Sequence, residues 1–73
     1  MSTEARKMAM PPKRCDLCED RFIDVCYDGK TSIGPWAWMC RSCFSKLGVG
    51  LGIGRGQEYA YDVDDKAWYK VRG

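Results

Sequence analysis

Apolar residues along this chain come in short runs, each closed by turn-forming residues. Phe22-Ile23-Asp24-Val25-Cys26-Tyr27 is rich in aromatic and β-branched side chains and predicts a strand. Asp28-Gly29 follows as a hairpin turn signal, because glycine accepts positive φ and aspartate tolerates it. The return strand, Thr31 to Met39, is interrupted by Gly34-Pro35, where proline lacks a ladder donor; an edge, a bulge or a bend is expected there. A second hairpin is predicted at the far end. Glu58 to Val63 alternates, with Tyr59, Tyr61 and Val63 on one face, Asp64-Asp65 turns the chain, and Ala67 to Arg72 returns. A two-residue turn there sets Tyr61 opposite Trp68 as a cross-strand aromatic pair. A lone hairpin is marginal, so its apolar face is expected to pack on the rest of the domain.

Helical spacing shows in Cys40 to Gly48. Phe44 and Leu47 fall three apart, on one face of one or two helical turns, and Gly48 is placed as an αL terminator. From Gly48 to Gly56 glycine then occupies every second position. A dinucleotide fingerprint needs an odd glycine offset that this run lacks, and a P-loop needs a Gly-Lys-Ser/Thr that is absent. Val49, Leu51 and Ile53 share a face if the run is extended, which predicts a packed loop or irregular strand. A phosphate or peptide cradle is the alternative. At the other end, Pro11-Pro12 closes any helix capped by Ser2 over Thr3–Met10, and a helix that short is marginal. Residues 1–14 are therefore expected to form a flexible basic tail, and 15–73 the folded domain.

The predicted elements are organised around four cysteines. Cys15-Asp16-Leu17-Cys18 and Cys40-Arg41-Ser42-Cys43 each leave two residues between thiols, so one tight turn can aim both sulfurs at one point. The stretch between the pairs is long enough for one hairpin to run out and return. This is the spacing of a four-thiolate site, and one structural Zn²⁺ suits it as a redox-inert, tetrahedral ion that favours soft ligands. A knuckle, a hairpin, then a second cysteine pair opening a helix is treble-clef order, here followed by the C-terminal hairpin. A zinc ribbon, with the second pair on another hairpin, is the runner-up. Either is a small metal-stabilised α+β fold. A helix beginning at Cys40 would also point amide donors at the thiolates.

Size makes that metal matter. A chain of 73 residues buries only about 60% of its unfolded surface, and such domains usually need a staple. The fifth cysteine, Cys26, lies outside the ligand spacing and reads as a small buried apolar residue. Met1 to Met10 is polar and has no apolar signal core, and nothing approaches a membrane span. The expected location is cytoplasmic, where close cysteines bind metal more often than they pair as disulfides.

Charge says little as a total and more as a distribution. The formal +2 falls to about zero once four thiolates and one Zn²⁺ are counted. Arg6, Lys7, Lys13 and Arg14 nevertheless make the first fourteen residues basic, while Glu58, Asp62, Asp64 and Asp65 form an acidic stretch with no intervening base. Catalysis has little to work with. The chain has no histidine, and four cysteines leave a zinc ion no position for activated water, so neither an enzyme nor a small-molecule substrate is expected. The acidic residues near Asp64 read as a charged turn rather than a cation site.

Aromatic residues are the other strong signal. Trp36, Trp38, Tyr59, Tyr61, Trp68 and Tyr69 either roof the metal site or form a partner-binding surface, since Trp, Tyr and Arg are typical interface anchors. Candidate partner-binding residues are thus Arg6, Lys7, Lys13, Arg14, Trp36, Trp38, Arg41, Arg55 and Trp68. Interleaved with Arg41, Lys46, Arg55, Lys70 and Arg72, the rings could instead stack on single-stranded bases, although the modest basic count predicts only weak nucleic-acid binding.

At Gly34-Pro35-Trp36-Ala37, Met39-Cys40, Cys43-Phe44 and Gly48-Val49-Gly50-Leu51-Gly52, then Gly54, Gly56-Gln57 and Tyr59, the sequence resembles small zinc-finger proteins of tailed bacteriophages. The resemblance spans roughly Cys15 to Tyr59. It implies an accessory protein in the host cytoplasm with the four paired cysteines as ligands, and Cys26 is not part of the pattern. Phage proteins of this kind often bind host machinery, RNA polymerase among the common targets. The resulting expectation is a non-enzymatic zinc-stabilised binding module acting on a host protein, plausibly in transcription; the alternative is a nucleic-acid-binding zinc-finger protein.

Overall fold

Two hairpins share one sheet because the strand that leaves the first knuckle has a partner on each side. In the computed structural model, which describes residues 8–73, β2 (Val25–Lys30) pairs with β3 (Trp36–Met39) on one edge and with β4 (Gly56–Asp62) on the other. Strand β4 turns into β5 (Ala67–Arg72), and β1 (Met8–Ala9) adds a short edge to β5. The resulting antiparallel order is β1-β5-β4-β2-β3, with one helix, α1 (Arg41–Leu47), between β3 and β4 in sequence. The C-terminal hairpin therefore joins the first hairpin through backbone pairing, not by laying an apolar face across it.

The first hairpin turns later than its strongest turn signal. Asp28 and Gly29 lie inside β2, opposite Trp38 and Ala37, and the chain reverses over residues 31–35. Gly29 serves another purpose. It faces Gly56 across β2 and β4, and a Cβ there would stand 2.8 Å from the Arg55 carbonyl oxygen and 3.1 Å from Gly56 Cα. Close strand approach, not positive φ, explains this glycine. The real turn is closed by Thr31, whose amide and hydroxyl both donate to the Pro35 carbonyl, and it uses Gly34 at φ +118°.

The glycine-rich stretch departs from an extended strand. Gly50, Gly52 and Gly54 all take positive φ, so Val49, Leu51 and Ile53 do not share one buried face. Leu51 packs on the core, while Val49 and Ile53 are exposed. Gly48 is also no αL terminator: at φ −70° and ψ 150° it is extended, and its amide donates to the Phe44 carbonyl. Its missing Cβ makes room for the Phe44 ring.

One core results. Tyr27, Ala37 and Met39 lie on one sheet face, and Met39 is wholly buried. Phe44 of α1 stacks on Tyr27 with ring centroids 4.1 Å apart, and Leu17, Val25, Cys43 and Leu51 close the periphery. Glu58, opposite Tyr27 in β4 and buried, is neutralised by an ion pair with Arg72 of β5.

The N-terminal segment is more engaged than a free tail. Met8 and Ala9 pair with Tyr69 and Trp68, so they are strand rather than the last turn of a Thr3–Met10 helix. The remainder of that predicted helix, with Arg6 and Lys7, lies outside the described residues. Lys13 accepts at its carbonyl from the Phe22 amide, and Arg14 bridges to Arg21, so residues 13 and 14 flank the first knuckle.

Candidate metal centre and the aromatic face

Each cysteine pair is aimed by its own local structure. Cys15 to Cys18 form a tight turn in which the Leu17 amide lies 3.4 Å from Cys15 Sγ. Cys40 is the N-cap of α1, and its sulfur accepts from the Cys43 amide at 3.5 Å. A further amide links the pairs, with Cys40 N donating to Cys15 Sγ at 3.4 Å. The second pair thus opens a helix and not a hairpin, unlike a zinc ribbon.

The four sulfurs of Cys15, Cys18, Cys40 and Cys43 all lie within 4.8 Å of one another. A tetrahedral ion bonded to sulfurs at about 2.3 Å separates them by about 3.8 Å, and the Cys18–Cys40 separation is 3.7 Å. The four cysteines are arranged to hold one metal ion. Electrostatics agree with the geometry. Burial alone would raise the Cys15 thiol, but backbone donors from Cys18, Cys40 and Leu17 outweigh it and bring it down to about 7. Cys43 is pushed strongly upward, first by burial and then by the three neighbouring sulfurs. Four thiolates this close repel one another unless a cation sits between them. Exposure is graded across the cluster, from buried Cys15 to exposed Cys18.

Asp16 supports the site in a way that the sequence did not single out. Its amide donates to the Trp38 carbonyl at 2.8 Å, and its carboxylate accepts from the Trp38 amide at 2.8 Å. Those two bonds fasten the first knuckle to the outer edge of β3, one residue before Met39 leads into Cys40. An acidic residue between two cysteines was the only available signal, and many solvated carboxylates share it.

Cys26 stands apart from the cluster. It is fully buried, opposite Tyr59 in β4, and burial with help from Asp28 pushes its thiol up to about 12. That is the inert, apolar role its position in the first strand suggested.

The sheet register places Trp36, Trp38, Tyr59, Tyr61 and Trp68 on the face opposite α1. Trp38 packs on Tyr59 with centroids 5.5 Å apart, and Tyr61 on Trp68 at 5.3 Å, the cross-strand pair that the alternation predicts. Their exposure differs. Trp36 is 49% exposed, Tyr61 is exposed, Trp38 and Trp68 are half-buried, and Tyr59 is buried. Among the described residues no helix or second sheet lies over this face.

The basic candidates do not converge. Arg41 and Lys46 sit on α1, Arg55 lies beside the Gly50–Gly52 backbone, and Arg72 is engaged by Glu58. Of the five cations proposed to interleave with the rings, Lys70 alone shares the aromatic face, opposite Tyr59. Lys13 and Arg14 are exposed beside the first knuckle, and Arg14 donates to the Glu19 carbonyl. No protein-family model, curated protein or solved structure matches this chain. Among the described residues, no helix is long and apolar enough to cross a membrane.

Proposed function

We propose that this chain is a non-enzymatic binding module, held together by one structural zinc and recognising a partner protein through its aromatic sheet face. The observation that carries the reading is the asymmetry of the sheet: one face is closed by α1, and the other carries Trp36, Trp38, Tyr61 and Trp68 with no helix over them. Zinc is the ion of choice for a set of four thiolates, and its filled coordination shell fits a structural rather than a catalytic role. The order of knuckle, hairpin, helix and hairpin favours a treble-clef relationship. Resemblance to bacteriophage zinc-finger proteins supports an accessory protein acting on a host target, with the transcription machinery as the first candidate.

Scattered cations weigh against the nucleic-acid alternative, because phosphate binding needs them along one surface. The test is capture from nuclease-treated bacterial lysate by the zinc-loaded protein and by Trp36→Ala. A partner protein retained after nuclease treatment and lost with the substitution is expected. A partner recovered only when nucleic acid is intact would favour the alternative.

A further inference from the structure

At the β4–β5 end of the aromatic face, Trp68 lies between two other rings. Phe22 meets it edge-on at 6.3 Å with planes 72° apart, and Tyr61 meets it at 5.3 Å with planes 59° apart. These rings line an open cleft of about 560 Å³ whose other walls include the Pro11-Pro12 segment and Ile23. Lys13 and Arg21 stand on its rim, and no carboxylate lines it. Among the described residues neither cation is engaged in an ion pair.

We propose that this cleft takes an acidic protein segment presenting one apolar side chain, which seats against Trp68 while neighbouring carboxylates meet Lys13 and Arg21. The proposal rests on the reading of this face as a partner surface, and it moves the centre of that surface from Trp36 to Trp68. Three observations select the occupant. The rim charge is of one sign, so a complementary partner is anionic. The walls are aliphatic as well as aromatic: Pro11 and Pro12 stand beside Ile23, which is 85% exposed. Such a mixture suits a hydrophobic side chain. A strand of bases needs open parallel ring faces, and here one pair of rings meets edge-on and the other is tilted. The cleft also provides what an anchor requires, a concave apolar floor from which water is displaced, ringed by polar groups.

The test uses the full-length, zinc-loaded chain and a short fluorescent peptide carrying one leucine among glutamates. Its controls are a twin with glutamines for the glutamates, a twin with serine for leucine, and oligothymidylate. The acidic peptide is expected to bind, and the neutral and serine twins to bind about tenfold more weakly. Trp68→Ala should weaken binding by about thirtyfold. Lys13→Glu combined with Arg21→Glu should weaken it about tenfold; both residues are exposed, and retained zinc would verify the fold.

Equal affinity for the neutral twin, or binding of oligothymidylate in place of the peptide, would overturn the proposal. So would a sedimenting dimer that Trp68→Ala dissociates, because a second copy would then occupy the cleft. Peptide binding lost with Trp36→Ala and kept with Trp68→Ala would remove the cleft yet leave the aromatic face as the partner surface. Absence of any peptide binding also overturns the cleft, while the lysate capture still decides the broader reading.

Discussion

On one face of the sheet, Tyr27, Ala37 and Met39 lie beneath α1 and are sealed from water. On the other, Trp36, Trp38, Tyr61 and Trp68 stand with no helix above them. Both faces are apolar, and the difference is cover. A seven-residue helix can close only one side of a five-stranded sheet, and the cysteine cluster ties it to that side, because Cys40 caps the helix and Cys43 lies in its first turn. The covered face thus carries the core, and the other keeps aromatic rings at the surface.

Removing the metal should erase the contrast altogether. In small thiolate modules the free energy of metal binding is free energy of folding. A strong chelator, or Cys40→Ser, is expected to abolish cooperative unfolding in circular dichroism, while Cys26→Ser keeps one bound zinc per chain by elemental analysis. Protein isolated under reducing conditions with no bound metal would falsify the assignment of the four cysteines.

Within the metal-loaded protein, the largest single effect should come from the covered face. Phe44→Ala removes the ring stacked on Tyr27, and its cost is expected at roughly 2–4 kcal/mol, read from denaturant midpoints. A loss much below 1 kcal/mol would mean that the metal, and not the helix contact, holds that face.

Cys26 sharpens the comparison, because it lies on the aromatic face and is nonetheless fully buried. Its thiol ionises near 9.0 when unfolded and is raised to about 12 when folded, by burial and then by Asp28. The folded state therefore holds this proton longer. Its contribution is complete below pH 9 and is lost as pH rises towards 12. Tyr59, raised by burial, Asp28 and Cys26, acts in the same direction. Thermal midpoints should fall across that window, and Cys26→Ala should flatten the decline.

The smallest effect on stability belongs to Trp36. Half-exposed at the edge of the open face, its replacement by alanine is expected to change stability by about 0.5 kcal/mol or less while altering partner capture. Destabilisation comparable to Phe44→Ala would show that the open face is a second core.

Local signals in the sequence read well where local chemistry governs. The ligand spacing, the start of the helix near Cys40 and the Tyr61–Trp68 register all depend on residues near one another in the chain. Asp28-Gly29 misled because its glycine answers a contact with Gly56, twenty-seven positions along the chain, that no turn rule anticipates. Gly48 misled likewise, since the Phe44 ring requires the space and the backbone stays extended. Met8-Ala9 has no strand pattern of its own and is ordered by the edge of β5. Asp16 was silent because its partner is the backbone of a distant strand, and backbone groups carry no sequence signature.

The bonds between Asp16 and Trp38 have a consequence for solubility. Strand β3 is the last strand of the sheet, and an unpaired edge bearing Trp36-Ala37-Trp38-Met39 is the kind of template on which other chains assemble. The first knuckle occupies that edge at Trp38, and a metal ion bound by the four cysteines would hold its turn there. Loss of the metal would thus uncover a sticky strand at the moment the helix is released. Precipitation, rather than a soluble unfolded chain, is the expected fate of the stripped protein.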